Sequence, residues 1–238
     1  MRLDKMLANM GLGSRKDVRQ KIKKGFVSIN GKVIKNQGQH IDADKDLVMF
    51  NGEQINYREF IYIMLNKPDG VISATEDDYH STVVDLLPDE YLHFEPFPVG
   101  RLDLDTVGLL LLTNDGKLAH ELTAPKKEIE KVYYAHVEGE VNEGHIEQFS
   151  RGVRLEDGFV TKPADLTILK SDSVSEIELS IREGKFHQVK RMFQAINCEV
   201  IYLQRIKMGE LSLDPDLLEG KCRELNEEEM KYCLSLKK

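Results

Sequence analysis

The sequence predicts an α+β protein in two parts: a small basic module at the N-terminus and a larger body that mixes strands with helices. In the basic module, apolar residues recur with helical spacing, and short strand-forming segments around an Asn-Gly pair follow them. In the body, the apolar run at 109–112 and the alternating segment at 130–137 predict strands. The spacing of apolar residues between Val189 and Ile196 predicts a helix. With 238 residues, the chain is long enough for one large core or two modest ones.

Charge is divided unevenly along the chain. Residues 1–35 hold ten Lys and Arg against two Asp, a net charge of +8 within a total of −8. A concentrated basic module on an acidic body indicates a polyanion-binding surface at one end, and the alternative is an ordinary solvated face. The three cysteines lack metal-ligand spacing, and the apolar residues near the N-terminus are periodic rather than contiguous. We therefore expect a protein of the reducing cytoplasm, without a signal peptide or a membrane segment.

The basic module is predicted to contain two helices and a hairpin. One apolar stripe of a first helix is formed by Leu3, Met6, Leu7 and Met10. Ser14, with Asp17 three residues later, has the pattern of a capping box that begins a second helix, and Gly25 follows its end. Asn30-Gly31 predicts a type I′ hairpin turn between two short strands.

This arrangement resembles the S4 domain, a small RNA-binding domain of ribosomal proteins. The matching segments are Arg-Leu-Asp-Lys-Met-Leu-Ala at 2–8, Ser-Arg at 14–15 and Val-Ser-Ile-Asn-Gly-Lys at 27–32. In such domains the basic helix meets phosphates and positions the RNA mostly by shape. The resemblance implies RNA contacts for Arg2, Lys5, Arg15, Lys16, Arg19, Lys23 and Lys24.

The segment from 100 to 116 carries the first candidate for chemistry. Its sequence Gly-Arg-Leu-Asp-Leu-Asp-Thr-Val-Gly leads into four leucines and then Thr-Asn-Asp-Gly. A carboxylate on a loop that enters a buried strand is held rigidly, as a nucleophile or general base requires. If the segment is extended, Asp103 and Asp105 share a face about 6.6 Å apart, within the spacing of roughly 5–9.5 Å found in glycoside hydrolases. Alternatively, Asp105 caps a turn with Thr106 and Asp103 acts alone.

Two further positions have a structural and a functional interpretation. In the strand at 130–137, Tyr133 and Tyr134 point to opposite faces, so at most one enters a given pocket. That tyrosine is either a core residue or a platform on which a base stacks. Lys67, in the turn Asn-Lys-Pro-Asp-Gly at 66–70, is either a plain turn lysine or a phosphate contact.

A basic cluster surrounds the start of the predicted helix at 189–196. Lys185 precedes this helix and could pair with Asp103, while Lys190 and Arg191 lie off its apolar stripe. His187 and Gln188 could line a site. A helix N-terminus with basic neighbours favours phosphate, and a solvated basic face is the alternative.

Four motifs in order resemble those of the RsuA-type pseudouridine synthases. They are Lys67-Pro-x-Gly70, the segment 100–116, Glu-Lys-x-Tyr ending at Tyr133, and Glu-Gly-Lys-Phe-His-Gln-Val-Lys-Arg-Met-Phe at 183–193. The resemblance implies that Asp103 is the catalytic aspartate, Tyr133 the active-site tyrosine and Lys185 the basic partner of Asp103. It also implies a mixed, largely antiparallel sheet flanked by helices, a cleft across that sheet, and a reaction that uses neither cofactor nor metal.

From this resemblance we expect an RNA-binding domain at 1–56 and a catalytic domain at 57–238, acting on ribosomal RNA as a monomer. Further RNA contacts are expected at Lys67, Arg101, His187, Gln188, Lys190 and Arg191. The segment Thr-Lys-Pro-Ala at 161–164 and the Lys-Arg-Met-Phe ending resemble members that act on the small-subunit RNA. The alternatives are the same reaction on large-subunit RNA, a non-enzymatic ribosome-assembly factor, and a glycoside hydrolase that uses both aspartates.

Overall fold

A computed structural model describes residues 1–237, which form two compact units. The N-terminal unit comprises residues 1–61 and 88–95, and the C-terminal unit comprises 62–87 and the chain from 96 onward. The expected boundary after residue 56 therefore differs from the division in the structure. Residues 88–95 pack on the first 61 residues, and Gly11 allows this because it lacks a side chain where the His93 ring packs. The Arg58 guanidinium also lies 5.7 Å from the centre of the Phe94 ring.

The N-terminal unit packs short helices on a small antiparallel sheet with strand order β2-β1-β3-β4. Its elements are α1 Leu3–Asn9, α2 Arg15–Lys23, β1 Val27–Ile29, β2 Lys32–Val33, β3 Val48–Phe50, β4 Glu53–Gln54 and α3 Asp89–Leu92. The predicted capping box is confirmed, since Ser14 Oγ accepts the Asp17 N–H and the Asp17 carboxylate accepts the Ser14 N–H. Asn30 and Gly31 have φ of 50° and 79°, which confirms the type I′ turn.

One acidic residue is buried in this basic unit. The Asp4 carboxylate accepts hydrogen bonds from Arg2 Nε at 3.0 Å, Arg2 Nη2 at 2.9 Å and Arg19 Nε at 2.8 Å. The two guanidinium groups hold the pKa of Asp4 at about 2, against burial, which acts to raise it. Two of the predicted RNA-binding arginines therefore also have a structural partner in α1.

Replacing Asp4 with Asn should lower the free energy of unfolding by about 2 kcal/mol at neutral pH, because the charge-assisted hydrogen bonds to two arginines weaken. The ordinary pKa of an aspartate is 3.8, so this stabilisation is present above about pH 4 and is lost as the pH falls toward 2. Urea unfolding of the wild type and the variant at pH 7 and pH 3 measures it. The difference between the two proteins should shrink at pH 3, and Asp44→Asn, at an exposed position, serves as the control.

The C-terminal unit is built on a nine-stranded sheet with the main order β13-β5-β7-β11-β8-β10-β9, in which β6 pairs with β7 and β12 with β11. Its strands are β5 Tyr62–Lys67, β6 Phe97–Pro98, β7 Val107–Thr113, β8 Lys131–Glu138, β9 Asp165–Lys170, β10 Val174–Ile181, β11 Glu199–Met208, β12 Leu211–Ser212 and β13 Cys222–Glu224. Its helices are α4 Gly116–Thr123, α5 Glu143–Arg151, α6 Gln188–Gln194 and α7 Glu227–Leu236, with a 3₁₀ turn at Pro125–Lys127. Within residues 1–237, no helix has the length and apolar character needed to cross a membrane.

Only β7 and β11 pair in parallel among these strands of the described chain, which confirms the expected mixed, largely antiparallel sheet. Gly108 makes that pairing possible, because a Cβ there would lie 2.4 Å from the Arg205 carbonyl oxygen. All seven residues of β7 are buried, so the chain that enters this strand is anchored in the core. The loop that carries Asp103 leads directly into β7.

Candidate active site

Backbone hydrogen bonds fix the loop of Asp103 on both sides of that residue. Ser73 Oγ accepts the Leu102 N–H and donates to the Leu102 carbonyl, both at 3.0 Å. On the other side, the Leu104 carbonyl accepts the Gly70 N–H at 3.1 Å. The position of Asp103 is therefore set by the chain before β7 as well as by β7 itself.

Lys67 is part of this support, and its ammonium has no exposed surface. Its side chain is fully buried, and its Nζ donates to the carbonyls of Pro68, Leu104 and Thr106 at 3.0, 3.1 and 2.9 Å. Burial lowers the pKa of Lys67 to about 8, while the nearby carboxylates oppose that shift. The predicted phosphate contact at this position is wrong, because all three hydrogen-bonding directions of the ammonium point to carbonyls of the protein.

Asp103 and Asp105 do not form an extended pair. The Thr106 N–H donates to the Asp103 carbonyl at 3.1 Å, which makes a turn of residues 103–106. The Asp105 carboxylate accepts Lys190 Nζ at 2.5 and 2.6 Å, so it is occupied by a cation of α6. Within the described chain no lysine or arginine pairs with Asp103, and its side chain is 32% exposed. The geometry agrees with the alternative in which Asp105 supports the turn.

Tyr133 lies on the face of the sheet that meets this loop. It is 8% exposed, and it pairs across the strands with Arg205 of β11. Directly paired residues of antiparallel strands share a face, with Cβ atoms roughly 5 Å apart. Tyr134 points to the other face, where its hydroxyl donates to Glu176 at 2.8 Å. Tyr133 is therefore the tyrosine of this pair that lines the cleft.

The side chain next to the Asp103 carboxylate is His187 rather than Lys185. His187 Nε2 lies 3.7 Å from Asp103 Oδ1, and the His187 backbone has a left-handed φ of 49° at the start of α6. Its ring stacks on the exposed Phe186 ring, with centroids 3.8 Å apart. Lys185 makes no ion pair with Asp103 in the described chain, because its Nζ lies over the Phe159 ring at 5.4 Å. The expected Lys185–Asp103 ion pair is thus absent from this structure.

Three other residues of the 183–193 cluster already have partners in the protein. Buried Gln188 donates to Glu183 Oε1 at 2.8 Å and accepts the Lys185 N–H at 2.9 Å. Lys190 pairs with Asp105, as described above, and Arg191 pairs with Asp157. Gln188 is therefore a support of the loop instead of the RNA contact we expected. Lys190 and Arg191 are neutralised by carboxylates, which leaves little free charge for phosphate.

The basic residues of the N-terminal unit have a different environment. Most of them are exposed on α1 and α2, and this group consists of Arg2, Lys5, Arg15, Lys16, Lys23 and Lys24. Arg19 is half-buried because of its bond to Asp4. On α2 the exposed cations lie opposite the buried Val18 and Ile22. This helix therefore presents a positive face to the solvent.

Two cavities with shared walls open beside Asp103. The smaller one, of about 80 Å³, is lined by Asp103, His187 and Leu203, and the larger one has a volume of about 540 Å³. Tyr133, Arg101 and Lys185 line both of them. The structure thus brings the three predicted catalytic residues, Asp103, Tyr133 and Lys185, to one cleft in the C-terminal unit.

Comparison with known families gives this cleft a chemical context. The family model described as RNA pseudouridylate synthase matches residues 61–195, and the model of the S4 domain matches residues 1–47. The first match covers more than half of the chain and includes the loop of Asp103, Tyr133 and α6. The chain belongs to the RNA pseudouridine synthase family. It is therefore an isomerase with an N-terminal S4 domain, as the motifs predicted.

Full-length relatives agree with this membership of the pseudouridine synthases. An uncharacterized RNA pseudouridine synthase of Bacillus subtilis is 53% identical over 97% of both chains. A ribosomal large subunit pseudouridine synthase B of the same organism is 42% identical over 99% of this chain and 96% of its own. A ribosomal small subunit pseudouridine synthase A of Vibrio cholerae is 39% identical, over 97% and 98%.

A solved structure agrees with the fold. A crystal structure described as pseudouridylate synthase superimposes with a TM-score of 0.68 at 35% identity, and the alignment covers 98% of this chain and 99% of that one. The fold predicted for the synthase and the preceding S4 domain are confirmed.

Sequence reasoning about this pseudouridine synthase missed three residues of the site: Ser73, Lys131 and Arg205. Lys131 could have been found, since it lies two residues before Tyr133 in an alternating strand and so shares its face. An arginine within the apolar alternation of β11 was a weaker indication at Arg205. Nothing local marked Ser73, whose partner Leu102 lies 29 residues away along the chain.

Proposed function

We propose that Asp103 is the reacting carboxylate of this pseudouridine synthase. The observation that supports this assignment is its setting, because Asp103 is the only acidic residue in the described lining of the smaller cavity. Arg101 and Lys185 line the same cavity, so the carboxylate has cations near it, and within the described chain neither of them forms an ion pair with it. Its backbone is held on both sides by Ser73 and Lys67, which gives the reacting group the fixed position that catalysis requires.

The reaction exchanges one bond of the nucleoside for another. The bond between C1′ of the ribose and N1 of uracil breaks, the base turns, and a bond from C1′ to C5 forms. C5 then loses its proton and N1 gains one, so the product is an isomer of the substrate. Asp103 assists the first step in one of two ways. It adds to C1′, and the new C1′–O bond breaks when C5 attacks, or it removes the 2′ proton and returns it to C2′ when the bond to C5 forms. Tyr133 would stack on the base, which must leave its helical stack to reach this depth at a cost of a few kcal/mol.

The cations at the mouth of the cleft would hold the RNA beside the target nucleotide. Arg101 and Lys185 line both cavities and have no carboxylate partner within the described chain, so they are free to meet phosphate oxygens. His187, through its contact with Asp103, would orient the carboxylate. These roles replace the direct Lys185–Asp103 ion pair that the motifs implied.

For the substrate, we propose a uridine of small-subunit ribosomal RNA. Support comes from relatives named as small-subunit synthases, at 39% identity in Vibrio cholerae and 37% in Escherichia coli over 97% of this chain. The segments 161–164 and 190–193 also resemble those of synthases that act on small-subunit RNA. A large-subunit uridine is the second candidate, because the synthase B of Bacillus subtilis is 42% identical.

Deletion of the gene should remove one pseudouridine from small-subunit RNA and leave every large-subunit site modified. Pseudouridine mapping of both ribosomal RNAs in the deletion strain measures this, and re-expression of the wild-type chain should restore the lost site. Loss of a large-subunit site with all small-subunit sites retained would show that the second candidate is right.

The S4 domain would supply electrostatic affinity through the exposed cations of α2. Neutralising Arg15, Lys16, Lys23 and Lys24 to Gln should weaken RNA binding and reduce the slope of log affinity against log salt by about 3, since each lost phosphate contact removes roughly 0.7–0.9. Binding titrations at several salt concentrations measure the slope. The control variant neutralises four exposed lysines of the C-terminal unit, Lys117, Lys170, Lys221 and Lys231. An equal change in both variants would indicate only a general charge effect.

We also propose that the protein works as a monomer in the cytoplasm. One chain supplies Asp103, Tyr133 and Lys185 to the same cleft, so the site needs no residue from a second copy. The proposed substrate, ribosomal RNA, accounts for the location.

A further inference from the structure

The larger cavity has a cationic floor that the assigned roles do not use. Arg205 and Lys131 lie at this floor, together with the apolar side chains of Val99, Ile129 and Met208. Tyr133 lies next to both cations, because it is two residues from Lys131 on β8 and pairs with Arg205 on β11. All three side chains thus share one face of the sheet.

Arg205 is a buried cation with unused hydrogen-bonding capacity. It is 2% exposed; its Nε donates to the Leu109 carbonyl at 2.8 Å, and its Nη2 has no partner in the described chain. An unsatisfied buried donor is costly, and more so on a charged group. A partner from outside the protein, such as a ligand, an ion or a water, is one explanation for such a group, and here the group lines a cavity.

Lys131 adds a second positive charge to the same floor. Its Nζ donates to the Ile129 carbonyl at 2.8 Å, and burial together with the charge of Arg205 lowers its pKa to about 8. Neither Lys131 nor Arg205 forms an ion pair with a carboxylate in residues 1–237. The one acidic residue among the described lining of the cavity, Glu183, accepts hydrogen bonds from Gln188 and from the Lys162 N–H.

We propose that Arg205 and Lys131 bind the carbonyl edge of the target uracil and stabilise the negative charge on the base after its bond to C1′ breaks. When the C1′–N1 bond breaks, its electron pair stays on N1 and is shared with O2 and O4. This holds whether Asp103 adds to C1′ or removes the 2′ proton. Buried cations that are already in place beside the base stabilise such charge without having to reorganise. The inference rests on the proposed role of Asp103.

The position of the two cations favours a base over a phosphate. A planar ring can enter beside Tyr133 and between apolar walls, whereas a phosphodiester stays near the cations at the mouth of the cleft. The cavity of about 540 Å³ is larger than a pyrimidine ring, so the detached base has room to turn. While it turns, Arg205 and Lys131 would keep it from leaving the cleft.

The test compares uridine with 5-fluorouridine at the target position of whichever ribosomal RNA fragment the wild type modifies. Fluorine withdraws electrons from the ring and itself stabilises the negative charge on the departing base. The fluorinated base therefore depends less on the cations of the protein. Arg205→Gln should slow single-turnover consumption of uridine by about 100-fold, but slow that of 5-fluorouridine by about 10-fold or less. Nuclease digestion followed by chromatography measures both nucleosides. A purely structural role of Arg205 would give the same loss with both.

Two further variants cover the case in which Arg205→Gln does not fold. Lys131→Met should likewise lose less rate on 5-fluorouridine than on uridine. Lys131→Arg, which keeps the positive charge, should retain most of the rate on both substrates. Arg223→Gln is the matched control, because it removes an arginine that bonds Asp214 and Glu229 away from the cavity. It should alter stability without any preference for the fluorinated substrate.

The outcomes separate this inference from the proposed role of Asp103. Equal loss on both substrates in Arg205→Gln and Lys131→Met would overturn the inference. An unchanged rate with weaker binding and a shallower salt dependence would overturn it also, since that pattern indicates a phosphate contact. If Asp103→Asn still makes product, the proposed role of Asp103 fails instead, whatever the floor variants do.

Discussion

Replacing Asp103 with Asn is expected to lower the rate of pseudouridine formation by roughly 10⁴-fold, in line with the loss of a reacting group in other enzymes. An amide has nearly the shape of a carboxylate but neither attacks C1′ nor removes a proton. Within residues 1–237 the ion-pair contact of the Asp103 carboxylate is a long one, to His187 at 3.7 Å, so the substitution removes little that holds the loop. Folding should therefore be unaffected.

RNA affinity should stay the same or rise slightly in Asp103→Asn, because a negative charge leaves a surface that meets a polyanion. Single-turnover assays on a ribosomal RNA fragment, with binding measured in parallel, separate the two effects. Normal product formation by a variant that binds RNA would remove Asp103 from the mechanism.

Asp105→Asn is the matched control, and it also tests the glycoside hydrolase alternative. Its carboxylate is 62% exposed and pairs with Lys190, an ion pair of the kind that contributes at most about 1 kcal/mol. We expect a loss of rate of about tenfold or less, caused by a looser turn at 103–106. Equal losses in the two variants would instead indicate a pair of catalytic carboxylates.

Local patterns predicted the elements of this protein because their causes are local. The capping box at Ser14 and the turn at Asn30-Gly31 each depend on residues within a few positions, and both have the expected geometry. The alternation of β8 likewise placed Tyr133 and Tyr134 on opposite faces. The order of four motifs added the fold of the body, which periodicity alone does not give.

The site was harder to predict, because its contacts join distant parts of the chain. Lys67 was assigned to phosphate, but its partners Leu104 and Thr106 lie 37 and 39 residues away. The partner of Arg205 Nε, the Leu109 carbonyl, lies 96 residues away, and it comes near only because β7 and β11 pair in parallel. The sequence could name the basic residues of this region, but it could not say which of them the protein itself neutralises.

Lys67→Met is the second substitution with a large expected effect. Methionine fills nearly the same space but donates no hydrogen bond, so the carbonyls of Pro68, Leu104 and Thr106 lose their shared donor. The loop of Asp103 would then shift or loosen. Since a displacement of about 1 Å in a reacting group can cost roughly 10²-fold in rate, we expect a loss of this size. RNA affinity should hold, because Lys67 is fully buried.

The effect of Lys67→Met on stability should be smaller than its effect on rate. Burial of the ammonium lowers its pKa from 10.5 to about 8, which corresponds to a cost of about 3 kcal/mol for keeping the charge. Removing the charge recovers that cost and offsets part of the lost hydrogen bonding, worth roughly 1–3 kcal/mol for each group left unsatisfied. We therefore expect the free energy of unfolding to fall by only about 1–3 kcal/mol.

The pH dependence of this difference identifies the charge of Lys67 as its source. Above pH 8 the folded protein releases the proton of Lys67, while the unfolded chain keeps it up to about pH 10.5. The unfolded state then binds more protons, so the contribution of Lys67 to stability rises with pH in this window. Between pH 8 and pH 10, the free energy of unfolding of the wild type should rise relative to that of Lys67→Met. Urea titrations of both proteins measure this difference. A constant difference across this range would show that Lys67 is not held as a buried cation.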